Sequence, residues 1–181
     1  LKGNDPSDFY ELKWEDTTFW GLFKKSGKST LKNWTWFWAL IITLWFVIFF
    51  VMNSASFVEG VFAFSSALAG TLLGASAGIF GIVIASLTLS VTLFRKSLLP
   101  IMLKENLLQS FLFPFWFSVS LWSLNIVLCL ILFAIQILNQ KCLAPYFFFL
   151  ELYLFIYSTF YTVRLTGLVI RLSLQNAQIE D

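Results

Sequence analysis

Four long apolar stretches dominate the chain, and three of them contain no charged residue. Trp34 to Met52, Val61 to Phe94 and Phe111 to Leu138 are uncharged throughout, while the fourth, Pro145 to about Ile170, carries Glu151 and Arg164. Each is long enough to cross a hydrocarbon core of roughly 30 Å as a helix rising 1.5 Å per residue. The pattern therefore predicts an all-α, polytopic membrane protein with four transmembrane helices. The second stretch, 34 residues long, would extend about 51 Å as a straight helix, so it is expected to tilt or to emerge from the membrane.

Domain organisation follows from the same pattern. Residues 1–33 read as a cytoplasmic or interfacial amphipathic segment, 34–171 as the transmembrane domain with a connection at 95–110, and 172–181 as a tail. Basic residues set the orientation. Lys2, Lys13, Lys24, Lys25, Lys28 and Lys32 precede the first span, Arg95, Lys96 and Lys104 lie between the second and third, and Arg164 and Arg171 mark the end of the fourth. Lys141 alone falls on the other side. This asymmetry places both termini in the cytoplasm and leaves short outer loops around Asn53 to Gly60 and Asn139 to Ala144.

Composition agrees with a bilayer as solvent: 59% of the 181 residues are hydrophobic, 12% are charged and 22 are Phe. A net charge of +2 gives no reason to expect direct nucleic-acid binding. The first 33 residues lack a small-residue cleavage site after the first span and are expected to stay attached. Within them Asp16 to Lys25 mixes Phe19, Trp20, Leu22 and Phe23 with lysines, as in a helix lying among anionic headgroups. Lys24, Lys25, Lys28, Lys32, Arg95, Lys96, Arg164 and Arg171 are the expected headgroup anchors. The acidic group Asp5, Asp8, Glu11, Glu15 and Asp16 is a surface for a cytosolic protein partner.

Apparent catalytic motifs do not survive inspection. Gly74-Ala75-Ser76-Ala77-Gly78 matches G-x-S-x-G, but a nucleophile elbow requires a strand-to-helix turn and a base, and the chain contains no histidine. Gly21 to Ser29 has one residue too many between its glycines for a phosphate-binding loop. Cys129 is mid-span and Cys142 lies in a loop, so neither a disulfide nor a zinc site is expected from them. Glu59 and Glu151 would make only a weak site for a hard cation. The expectation is a protein that is not an enzyme and carries no cofactor or metal.

Small residues give the second span its character. Ser66, Gly70, Gly74, Ala77, Gly78, Gly81 and Ala85, with Thr88, return to one face of a helix. Such a groove admits a close backbone. It could seat another helix of the same chain, serve as a homo-oligomer interface or line a pore. On the third span Ser118, Asn125, Cys129 and Gln136 fall near one face, expected to look inward as glue or as a pathway. Tyr153, Tyr157, Tyr161 and Arg164 share a face of the fourth. Glu151 is the intramembrane acid, a candidate for ion or proton sensing, or for a simple pair with Lys141 or a headgroup.

A basic N-terminus, four spans with both ends inside, and a glycine-rich second span running into Arg95-Lys96 resemble the small four-span membrane proteins of bacterial phage-defence operons. In architecture the chain is most similar to the KwaA-type membrane subunits of Kiwa systems. The likeness is one of topology, and it brings no site residue with it. It implies an inner-membrane sensor or scaffold that homo-oligomerises and recruits a soluble cytosolic effector. An ion channel or membrane-permeabilising effector is the alternative. A small transporter or lipid-handling protein is a third, disfavoured by the lack of an inverted repeat.

Overall fold

The computed structural model describes residues 34–53, 56–92 and 107–178. Four helices make up these segments: α1 Thr35–Asn53, α2 Phe57–Thr92, α3 Leu107–Ile137 and α4 Ala144–Gln178. All four are long and apolar enough to cross a membrane, with the apolar windows of the last three at Phe57–Leu89, Leu112–Ile137 and Ala144–Gly167. The all-helical class and the number of spans are as the sequence pattern predicts.

The ends differ from the expected ones in physically legible ways. α2 begins at Phe57 rather than Val61, taking Glu59 into its first turn, where a negative charge faces the positive end of the helix dipole. α3 begins at Leu107, before Phe111. α4 continues to Gln178, so most of the expected tail extends the last span as helix. Residues 1–33 and 93–106, with the amphipathic segment and the cytoplasmic connection assigned to them, lie outside the described residues.

The α3–α4 turn is built by a helix-ending motif. Gln140 N–H bonds Ile135 O at 3.0 Å and Asn139 N–H bonds Gln136 O at 3.0 Å, the paired bonds of a Schellman cap. The cap needs a left-handed residue after the helix, and Asn139 supplies it with φ 53°. Asparagine tolerates that region better than most side chains. Ala144 and Pro145 then open α4, proline being harmless in a first turn whose N–H groups have no intrahelical acceptor.

The helices contribute to two compact units. One includes residues 85–92 and 107–117; Phe113 and Phe115 are buried there, and Phe113 stacks on Phe117 with ring centroids 6.0 Å apart. The other includes α1, residues 57–84 of α2, and everything described from residue 118 onward. In this larger unit α1 packs on α4, with Phe50 against Phe149. α2 meets α4 through Phe64 and Phe148 and through the stacked rings of Phe57 and Phe149. Phe50, Val61, Leu72, Cys129, Leu132 and Phe148 form its apolar centre.

Outside that centre the surface is itself apolar. Trp36, Trp38, Trp45, Ile48 and Phe49 of α1 are all exposed. In water so much contiguous exposure would drive aggregation, whereas in lipid it is the ordinary outer face of a bundle. The chain is a multi-pass membrane protein.

Candidate functional site

Hydrogen bonds between helices run in a seam through the larger unit. At one end Gln136 Nε2 of α3 donates to Ser65 Oγ of α2 at 3.1 Å. Further along α3, Cys129 Sγ donates to Glu151 Oε1 of α4 at 3.0 Å, with both side chains buried. Next, Asn125 Nδ2 donates to Ser158 Oγ at 2.8 Å and to the Leu121 carbonyl at 2.9 Å. Trp122 Nε1 then donates to Thr162 Oγ1 at 2.8 Å, and Ser118 Oγ lies 3.4 Å from the same atom. As the α3 numbers fall from 129 to 122, the α4 numbers rise from 151 to 162, so the two helices run antiparallel.

The seam exists because polar residues recur at helical spacing. On α3 residues 118, 122, 125, 129 and 136 are separated by three, four or seven positions, and on α4 residues 151, 158 and 162 likewise return to one face. From Ser118 to Gln136 the seam covers about 27 Å of helix axis. In hydrocarbon an unmade hydrogen bond has no water to replace it, so these groups hold the helices in one register. Thr162 also donates to the Ser158 carbonyl at 2.8 Å.

Three oxygens in this region have no partner. Glu151 Oε2, Ser76 Oγ and Asn125 Oδ1 are buried without a hydrogen bond, and their residues are each 0% exposed. They belong to α4, α2 and α3. Ser76 lies beside the Cys129 thiol, which in turn bonds Glu151. The orientation of Asn125 is fixed by chemistry, since its bond to the Leu121 carbonyl requires the amide nitrogen on that side.

Glu151 does not pair with Lys141, the simplest partner expected from sequence. Lys141 Nζ lies 3.9 Å from Glu59 Oε1 at the exposed end of the bundle, while Glu151 is closed in against Cys129. Burial also separates Glu59 from Glu151 as joint ligands. Both cysteines are free, Cys129 buried and Cys142 exposed. Among the described residues no three His, Cys, Asp or Glu side chains gather as a metal site.

The small-residue stripe of α2 faces the opposite way from one sequence expectation. Ser66, Gly70, Gly74, Ala77, Gly78, Gly81 and Ala85 are all exposed, so they do not seat another described helix of this chain. A Cβ added at Gly70, Gly74, Gly78 or Gly81 would meet nothing within 4 Å. The face of α2 that does pack carries Val61, Ser65, Ala69, Leu72, Ser76 and Val83, a neighbouring stripe with the same periodicity. Ser66 satisfies its hydroxyl within its own helix, donating to the Ala63 carbonyl at 2.8 Å.

The remaining predicted positions divide by where they fall. Asn125 and Glu151 are buried in the seam and Gln136 is half-buried at its end. Tyr153, Tyr157 and Tyr161 follow one another along α4 with successive ring centroids 6.3 Å apart, the first pair stacked and the second tilted by 45°. Arg164 is exposed. Lys24, Lys25, Lys28, Lys32, Arg95 and Lys96, and the side chain of Arg171, lie outside what is described. Sequence reasoning did not select Ser65, Ser76, Ser158 or Thr162 for the seam. Their signal was the repeat of hydroxyls at residues 65 and 76, and again at residues 158 and 162, on single faces.

No protein-family model, curated protein or solved structure matches this chain.

Proposed function

We propose that the protein is a non-enzymatic membrane scaffold-sensor that assembles with further copies of itself through the α2 stripe and presents its cytoplasmic face to a soluble partner. The observation that carries this reading is the outward stripe itself: seven small residues on one exposed face, with open space above each of the four glycines. In lipid there is no hydrophobic drive between helices, and close backbone approach over small residues supplies dispersion contacts that bulky faces cannot reach. A bonded seam within the chain and an open stripe on its surface divide the two tasks, one holding the protomer together and the other joining protomers.

The topological likeness to phage-defence membrane subunits supplies the biological setting of the proposal: a bacterial inner membrane, both termini in the cytoplasm, and a cytosolic effector as partner. Anionic headgroups would hold the basic inner segments at the surface. A pathway along the Asn125, Gln136 and Glu151 face has less support within one protomer, because Asn125 and Glu151 are wholly buried and bonded to Ser158 and Cys129, and half-buried Gln136 is bonded to Ser65.

Gentle extraction of the tagged protein, followed by mass determination of the intact assembly, tests the proposal. A defined homo-oligomer accompanied by a soluble protein supports it; a monomer at all concentrations in lipid nanodiscs overturns it.

A further inference from the structure

Independently of how protomers assemble, the seam contains a group that its own protein surroundings leave incomplete. Glu151 has one carboxyl oxygen bonded to the Cys129 thiol and the other, Oε2, with no partner, at 0% exposure. Ser76 Oγ on α2 and Asn125 Oδ1 on α3 are likewise buried and unbonded. Glu151 and Ser76, from α4 and α2, thus meet at the Cys129 thiol of α3. Asn125 is one turn along α3 from Cys129, about 6 Å of axis.

Charge sharpens the picture. An anionic carboxyl group without a counter-charge in hydrocarbon is costly, and intramembrane acids accordingly mark ion or proton sites. Among the described residues no cation is placed to pair with Glu151. Lys141 lies beside Glu59 at the exposed end, and Arg164 is exposed 13 residues further along α4, about 20 Å by helical rise. The other groups facing the site do not supply one either: α3 brings the Cys129 thiol, α2 brings Ser76, and α1 has no acidic, basic, cysteine or tyrosine side chain at all. On α4 itself the neighbouring titratable groups are tyrosines.

We infer that Glu151, with Ser76 Oγ across the Cys129 thiol, forms a buried binding site for a small monovalent cation, H⁺ or Na⁺. A proton on Oε2 gives the carboxyl group a donor of its own in a cluster otherwise rich in acceptors. A sodium ion is drawn by the same oxygens and uses them as hard ligands. In either case the occupant satisfies the buried Oε2 of α4, with Ser76 of α2 as the neighbouring oxygen. Glu151 lies seven residues into α4, about 10 Å from its start.

The test uses the full chain in lipid nanodiscs and a lipophilic carbodiimide, which reacts with protonated carboxyl groups; modification of Glu151 is read by peptide mass spectrometry, alongside the infrared carbonyl band of a protonated acid. Labelling suppressed by NaCl but not by choline chloride at fixed pH identifies Na⁺ as the occupant. Labelling and band that disappear together and reversibly as pH rises, with no effect of Na⁺, identify the proton. For a Na⁺ site, Ser76→Ala should raise the half-protecting concentration about tenfold, corresponding to ~1.4 kcal/mol. Labelling and band that are absent, or indifferent to both pH and Na⁺ in the unmodified protein, overturn the inference and leave Glu151 as a fixed structural acid. The wild-type measurement decides even where Glu151→Gln fails to fold.

Discussion

Cys129 and Glu151 join α3 to α4 at hydrocarbon depth: the thiol donates to Oε1 over 3.0 Å, and neither side chain reaches the surface. A thiol is a weak donor, yet in this position it is the bonded partner of the one buried acid among the described residues. Removing it leaves both carboxyl oxygens unbonded. Cys129→Ala is therefore expected to destabilise the protein by about 1–3 kcal/mol, read as a lower midpoint of thermal unfolding in detergent. Cys129→Ser, which keeps a donor at nearly the same place, should recover most of that loss. Equal destabilisation by both would place the cost in packing rather than in the bond.

Asn125 and Ser158 form the second polar tie between the same helices, and their coupling can be measured directly. A double-mutant cycle with Asn125→Leu and Ser158→Ala should return a coupling of about 0.6 kcal/mol, with an upper range near 2 kcal/mol, as found for side-chain hydrogen bonds in membranes. The sign should be stabilising. Zero coupling would mean that the amide is held by the Leu121 carbonyl alone.

The glycine stripe provides a substitution that separates assembly from folding. Because an added Cβ at Gly74 or Gly78 meets nothing within 4 Å in the protomer, Gly74→Leu with Gly78→Leu should leave the unfolding midpoint nearly unchanged. The same pair should weaken self-association by at least about tenfold, ~1.4 kcal/mol, since bulky side chains keep the facing backbone away. Mass photometry across a dilution series in nanodiscs reads the second quantity. A protomer that loses stability without change in association would assign the stripe to internal packing after all.

The contrast between the two faces of α2 explains what could and could not be read from sequence. Length and absence of charge determine that a segment spans, so all four helices were legible, with errors of a few residues where ends are set by capping rather than by hydropathy. Which side of a span faces inward is different. In a soluble helix the apolar stripe marks the core, but in lipid the whole circumference is apolar and that contrast vanishes. Small residues drew attention to the face of Gly70 to Gly81, whereas the inward face is marked by the sparse hydroxyls of Ser65 and Ser76. Polar residues were the better guide on α3, where Asn125 and Gln136 had to be satisfied by neighbours. Glu151 illustrates the limit: sequence gave it Lys141 as a simple partner, and only three-dimensional packing pairs Lys141 with Glu59 and Glu151 with Cys129.

The α3–α4 turn rests on a single backbone conformation. Asn139 at φ 53° occupies the left-handed position of the cap, where a β-branched side chain costs about 1–2 kcal/mol more. Asn139→Val should lower stability by that amount, while Asn139→Gly should be neutral or slightly stabilising. Circular dichroism melts of the two variants, side by side, check the prediction.

Cysteine chemistry tests both burial and orientation in one experiment. Cys142 is exposed in the turn between α3 and α4, and Cys129 is enclosed by the bundle. A membrane-impermeant maleimide applied to intact cells should label Cys142 if the turn faces outward, the orientation that the positive-inside rule predicts from the distribution of basic residues along the sequence. Cys129 should remain unlabelled until the protein is denatured, so Cys142→Ser should abolish the signal. Labelling of Cys142 only after the cells are opened would invert the topology, moving both termini outside and removing the cytoplasmic surface on which the recruitment of a soluble partner depends.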